Sequence, residues 1–163
     1  MNKVIEVDFL PRETNLAFSW LDTLGDSARR ILIVDNDKNT THLIKVLLEK
    51  TGRYLVLEEN DSTKAHTTAL NFRPDLIFLD VVMPERDGGE IAAQIQVDPE
   101  LHGTPIIFLT ALVTKAEADK GLLIDGHPFV AKPIDIQELM NVIEKHLSAH
   151  AKPFGVSMPQ QEA

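Results

Sequence analysis

Residues 31–40 read ILIVDNDKNT. Four β-type apolar residues run into Asp35, Asn36 and Asp37, and an amphipathic segment follows at once. A short, continuous apolar run bounded by polar turn residues marks a strand covered on both faces. A strand that hands over directly to a helix is the repeating unit of a parallel sheet with crossover helices. The three polar residues admit several roles: a helix cap, a nucleophile with its acid, or half of a metal site.

The unit recurs along the chain. YLVLEE (54–59), LIFL (76–79), IIFL (106–109) and FVA (129–131) read as further strands. The periodicity predicts helices over about 38–50, from Asp61 or Ser62 to just before Pro74, and over about 89–97, 115–124 and 135–147. In the first of these Leu43, Ile44 and Leu47 share one face, Asp37 or Asn36 caps the start, and Gly52 suits the stop. The prediction is one α/β domain over residues 29–148, a doubly wound, five-stranded parallel sheet with five helices.

Two segments flank it. Residues 1–28 carry Leu16, Trp20 and Leu24 at i, i+4 and i+8, one stripe of a short helix that packs on its own domain or offers a partner or homodimer surface. Residues 149–163, rich in proline, glycine and polar groups without period, are expected to be disordered.

Composition narrows the classes of function. Twenty-five acids against 16 bases give a net charge of -9, which disfavours direct binding of nucleic acid. With no cysteine there is no disulfide framework, thiolate nucleophile or zinc ribbon. No apolar stretch approaches the roughly 18 residues of a membrane span, and acids stand where a secretory signal would have its apolar centre. A cytoplasmic protein without membrane contact is expected.

In open parallel sheets ligands gather at the carboxyl ends of the strands. There the sequence places Asp35, Asn36 and Asp37 after the first run, Asp80 after the third, Thr110 after the fourth, and Lys132 followed by Pro133 after the fifth. Each has an ordinary structural role open to it, as a cap, a turn bond or a loop pair. Together they make a set of oxygens suited to Mg²⁺, with an ammonium and a hydroxyl to orient phosphoryl oxygens. The chemistry indicated is phosphoryl transfer onto or off a carboxylate.

ILIVDND, LIFLDVVMPERDGG, IIFLTA and FVAKP, in this order, resemble the receiver domain of response regulators in two-component signalling. The resemblance implies that Asp80 is the phosphoacceptor, supplied by a histidine kinase or a histidine phosphotransfer protein. It implies Mg²⁺ held by Asp35, Asn36, Asp80 and the backbone carbonyl of Val82. Thr110 would bond the phosphoryl group as a switch, and Lys132 would pair with it. Phe129 would turn inward as Thr110 moves, Ala111 would leave room for that motion, and Lys132-Pro133 would be a cis peptide.

The chain also departs from the family pattern. Asn36 replaces the second of two adjacent acids, which lowers the expected affinity for Mg²⁺ unless Asp37 compensates. Val82 and Leu112, two residues beyond Asp80 and Thr110, flank the expected path of hydrolytic water and cannot orient it, so a long-lived aspartyl phosphate is expected. Phe129 lacks the hydroxyl of the commoner tyrosine, and DGHPF replaces the usual approach to the fifth strand.

Two alternatives compete. ILIVDND also resembles the first motif of haloacid-dehalogenase-type phosphatases, with Asp35 as nucleophile and Asp37 as acid/base. A pseudo-receiver would bind partners without being phosphorylated. His146 and His150, spaced i, i+4, suit a helix C-terminus better than a metal. The expected role is a stand-alone receiver that acts on a downstream protein target.

Overall fold

The computed structural model describes residues 28–149. Their elements run β1 (Arg29–Val34), α1 (Lys38–Glu49), β2 (Tyr54–Glu59), α2 (Ala65–Phe72), β3 (Leu76–Asp80), α3 (Gly88–Val97), β4 (Ile106–Thr110), α4 (Lys115–Asp119), β5 (Phe129–Ala131) and α5 (Ile136–Ala149). A 3-10 turn, Ser62–Lys64, precedes α2. All paired strands are parallel, in the order β2-β1-β3-β4-β5. The expected five-stranded sheet with five helices is therefore present.

The unbroken apolar runs are explained by a sheet covered on both sides. Because side chains alternate along a strand, Leu32, Val34, Ile77, Leu79, Ile106, Phe108 and Phe129 enter a core with Phe72, Ile91 and Ile95 of α2 and α3. Their neighbours Ile31, Ile33, Leu76, Phe78, Ile107, Leu109 and Val130 enter a second core with Ile44 and Leu48 of α1 and Leu139 and Ile143 of α5. Each fully buried Ile, Leu or Phe contributes about 1.5–3 kcal/mol, so the three central strands are fixed from either side.

Several boundaries differ from expectation. Asp37 is the cap of α1; its Oδ1 accepts from the Asn39 N–H at 3.0 Å. The buried stripe of α1 is Thr41, Ile44 and Leu48, whereas Leu43 is 58% exposed. Asp61 caps the 3-10 turn rather than α2 itself, and α2 ends at Arg73, which takes φ 52°.

The fourth helix, expected over 115–124, stops at Asp119. Gly121 follows at φ 68°, and Ile124 and His127 exchange both backbone bonds at 2.9 and 2.8 Å around Asp125 (φ 49°) and Gly126 (φ 83°). Two central residues of positive φ make the two-residue hairpin turn for which Asp-Gly is the strongest local signal. That signal overrides the apolar pattern of Leu122 and Leu123.

Among the described residues no helix is long and apolar enough to cross a membrane. The apolar stripe of Leu16, Trp20 and Leu24, the tail and His150 lie outside the described residues. His146 bonds the Val142 carbonyl within its own helix through Nδ1 at 2.9 Å, a local bond that involves no metal.

Candidate functional site

The order β2-β1-β3-β4-β5 makes the gap between β1 and β3 the point where chain direction reverses, and ligands bind outside the strand ends there. Val34 pairs with Leu79, so Asp35 and Asp80 leave the sheet side by side. Asp80 pairs with Leu109 and Thr110 with Ala131, which brings Thr110 and Lys132 onto the same rim. The peptide between Lys132 and Pro133 is cis.

Lys132 joins the two acids. Its Nζ lies 2.6 Å from Asp35 Oδ2 and 3.6 Å from Asp80 Oδ2. Asp35 is 1% exposed and Asp80 7%, so this is a largely desolvated triad with one net negative charge. Burial first, and then the charge of Asp35, push the Asp80 carboxyl above the usual range against the opposing pull of Lys132. Burial alone would lower Lys132, but its hydrogen bond to Asp35 and the charges of both acids outweigh it and raise the ammonium.

The loop after β3 is drawn in tightly. The Gly88 N–H bonds the Val81 carbonyl at 2.8 Å. A Cβ on Gly88 would stand 2.2 Å from the Asp80 carbonyl oxygen, so only glycine allows α3 to start this close to the strand end. Asp87 caps that start by accepting from the Glu90 N–H at 2.8 Å.

Asp37 caps α1 through both of its oxygens. One of its oxygens accepts from the Asn39 N–H and the other from the Thr40 hydroxyl at 2.7 Å. Asn36 beside it is exposed.

No cluster of three His, Cys, Asp or Glu side chains suited to a metal exists among the described residues. Two buried carboxylates at adjacent strand ends, with backbone carbonyls beside them, are donor types that suit a hard cation such as Mg²⁺, which keeps several waters. The raised Asp80 carboxyl fits this too, because a cation would relieve the repulsion from Asp35.

Thr110 is buried, and its hydroxyl accepts from the Leu112 N–H at 3.0 Å. A hydroxyl can donate while it accepts, so a new acceptor at Asp80 could draw it away from that turn. Ala111 beside it is exposed, and Phe129 is already turned inward at 8% exposure. Val82 and Leu112 are 61% and 69% exposed.

Residues 31–144 match the family model of the response regulator receiver domain. The chain belongs to this family. A DNA-binding dual master transcriptional regulator, RpaA, of Synechocystis is 32% identical over 111 residues, covering 68% of this chain and 46% of that protein. The phosphate regulon regulator PhoB of Pseudomonas aeruginosa is 34% identical over 112 residues, covering 69% and 48%. The receiver chain thus spans about half the length of the curated relatives it matches.

Solved receivers agree. The signal receiver domain of a signal transduction histidine kinase from Syntrophus aciditrophicus superposes with a TM-score of 0.65 at 29% identity, over 81% of this chain and 99% of that one. The Francisella response regulator 1452 receiver domain gives 0.63 at 25%, over 75% and 98%. Receivers are switches of two-component signalling rather than conventional enzymes.

Sequence reasoning missed Asn60. Its side-chain amide donates to the Asp35 carbonyl at 2.8 Å and to the Thr41 hydroxyl at 3.0 Å. A polar residue immediately after β2, at the same rim as the acids, was the available signal.

Proposed function

We propose that this receiver takes a phosphoryl group on Asp80 from a phosphohistidine of a histidine kinase or histidine phosphotransfer protein. An Asp80 carboxylate oxygen attacks phosphorus, the P–N bond breaks, and the imidazole leaves with the electron pair. Lys132 neutralises a phosphoryl oxygen, and Thr110 donates its hydroxyl to another. Asp35, Asn36, Asp80 and the Val82 carbonyl would hold Mg²⁺, which would supply charge neutralisation. The observation that carries this reading is one ammonium within 2.6 and 3.6 Å of two buried carboxylates at adjacent strand ends.

Movement of Thr110 toward the phosphoryl group breaks its bond to the Leu112 N–H and frees the turn before α4. The surface around α4 and β5, where Phe129 is already buried, changes for a downstream protein target. The phosphodonor docks at an apolar hollow of about 270 Å³ beside Lys132 and Pro133, lined by Leu43, Ile44, Leu47, Ile134 and Ile136. This use accounts for the exposed Leu43.

Acetyl phosphate with Mg²⁺ tests the reading. Label is expected on the wild type and on Asp35→Asn at a reduced rate, and on Asp80→Asn not at all. Label lost only with Asp35→Asn would instead indicate the phosphatase chemistry. An exposed, uncharged Asn36 favours one second reading, a pseudo-receiver, and absence of label on the wild type at high Mg²⁺ would establish it.

A further inference from the structure

The loop from Asp80 to α3 contains a strained turn. Glu85 has φ 69°, and the Arg86 N–H bonds back to the Pro84 carbonyl at 2.8 Å. A bond from residue i+2 to residue i around a centre near +75° is the disfavoured hand of the γ-turn. Left-handed backbone at a non-glycine residue costs roughly 1–2 kcal/mol. Glu85 is itself exposed, so burial of its own side chain does not offset that cost.

The turn is held from outside the loop. The Pro84 carbonyl has a second lone pair, and the Ser62 hydroxyl donates to it at 2.7 Å. Ser62 is 2% exposed and follows β2, whereas Pro84 follows β3, with β1 between those strands. Two residues earlier, Asn60 donates to the Asp35 carbonyl and to Thr41, whose hydroxyl donates in turn to the Lys38 carbonyl at 3.2 Å. The segment 60–62 therefore grips both loops that carry the buried carboxylates.

Resting on the reading of Asp80 as phosphoacceptor, we propose that Ser62 and Asn60 are positioning residues that clamp these two loops at the separation a divalent cation requires. Ser62 acts through the Pro84 carbonyl on the backbone at Val82 and Asp80. Asn60 acts through the carbonyl of Asp35. Neither touches the phosphoryl group. Asn60 bonds a ligand residue directly and Ser62 reaches the ligands along the loop from Pro84; partners that fix metal ligands commonly change metal affinity by tenfold or more.

The test uses the whole chain, with Mg²⁺ alone as the titrant. Ser62→Ala should raise the Kd for Mg²⁺ by roughly tenfold and speed hydrogen exchange at the Arg86 amide in metal-free protein. Label from acetyl phosphate at saturating Mg²⁺ should persist. Glu85→Asn, which tolerates positive φ far better, should restore most of the Mg²⁺ affinity in the Ser62→Ala background. A purely structural hydroxyl would lower the melting temperature and leave both readouts at wild-type values, which overturns the clamp.

If Ser62→Ala does not fold, Glu85→Asn alone decides the matter. With Ser62 in place, relief of the turn should slow Arg86 exchange and tighten Mg²⁺, and no change in either overturns the proposal. Absence of label on the wild type would remove the phosphoacceptor reading while the exchange and metal titrations still judged the clamp.

Discussion

Asp80 carries a conflict in a single side chain. Its folded pKa is raised above the unfolded value, so its contribution to stability is full below about pH 4 and is lost as pH rises through the folded pKa. At neutral pH the ionised acid therefore destabilises the fold. Asp80→Asn should stabilise the protein at pH 7, and the gain should shrink as pH falls below about 4 when denaturation midpoints are compared. Asn36→Asp should tighten Mg²⁺ several-fold in a calorimetric titration, because it adds a charge where only an amide dipole now stands. Slow decay of the aspartyl phosphate is expected, since Val82 and Leu112, two residues beyond Asp80 and Thr110, are apolar and exposed; Val82→Asn with Leu112→Glu should accelerate it at least about tenfold, followed by loss of label. At this scale Asp35, Asp80, Thr110 and Lys132 were legible because strand ends alone fix their place. Asp37 as the cap of α1 was legible too, while the exposure of Asn36 was not, since either residue could satisfy the same orphan N–H groups.

Among the elements, the β3–α3 connection and α4 are opposites. Gly88 has no room for a side chain, and Gly88→Ala should cost about 3 kcal/mol with loss of phosphorylation, measured by urea unfolding and by labelling. α4 buries none of its side chains and is closed by a capping box between Thr114 and Glu117. The hairpin behind it depends on Gly126 at φ 83°, so Gly126→Ala should cost about 1–2 kcal/mol. The strands were readable from continuous apolar runs, and α1, α3 and α5 from their periods and caps. α4 was overpredicted because Leu122 and Leu123 continue an apolar period, while the Asp-Gly pair that ends it acts through backbone torsion, to which hydrophobic pattern is blind.

For the molecule as a whole, the sheet divides two cores and two kinds of surface. The face of α1 bears the hollow beside Lys132, and the region of α4 and β5 lies at the other end of the strand order. Whereas the strand order comes from the structure, charge convergence followed from the sequence because four of the five apolar runs end in a chemically useful residue. The links between loops did not, because Asn60 to Asp35 and Ser62 to Pro84 join positions 25 and 22 residues apart through side chain to backbone bonds that carry no spacing rule. A final consequence concerns α4, none of whose side chains is fully buried and which rests on the core through Ala118. Apart from Val113, Ala118 and Ile124, which pack against the core, and the glycines at positive φ, positions between 111 and 126 meet few packing constraints and can drift through sequence space while β1, β3 and β4 stay pinned. A lineage of such receivers could acquire new listeners by rewriting the exposed positions between 114 and 123, with Asp35, Asp80, Thr110, Leu112 and Lys132 untouched.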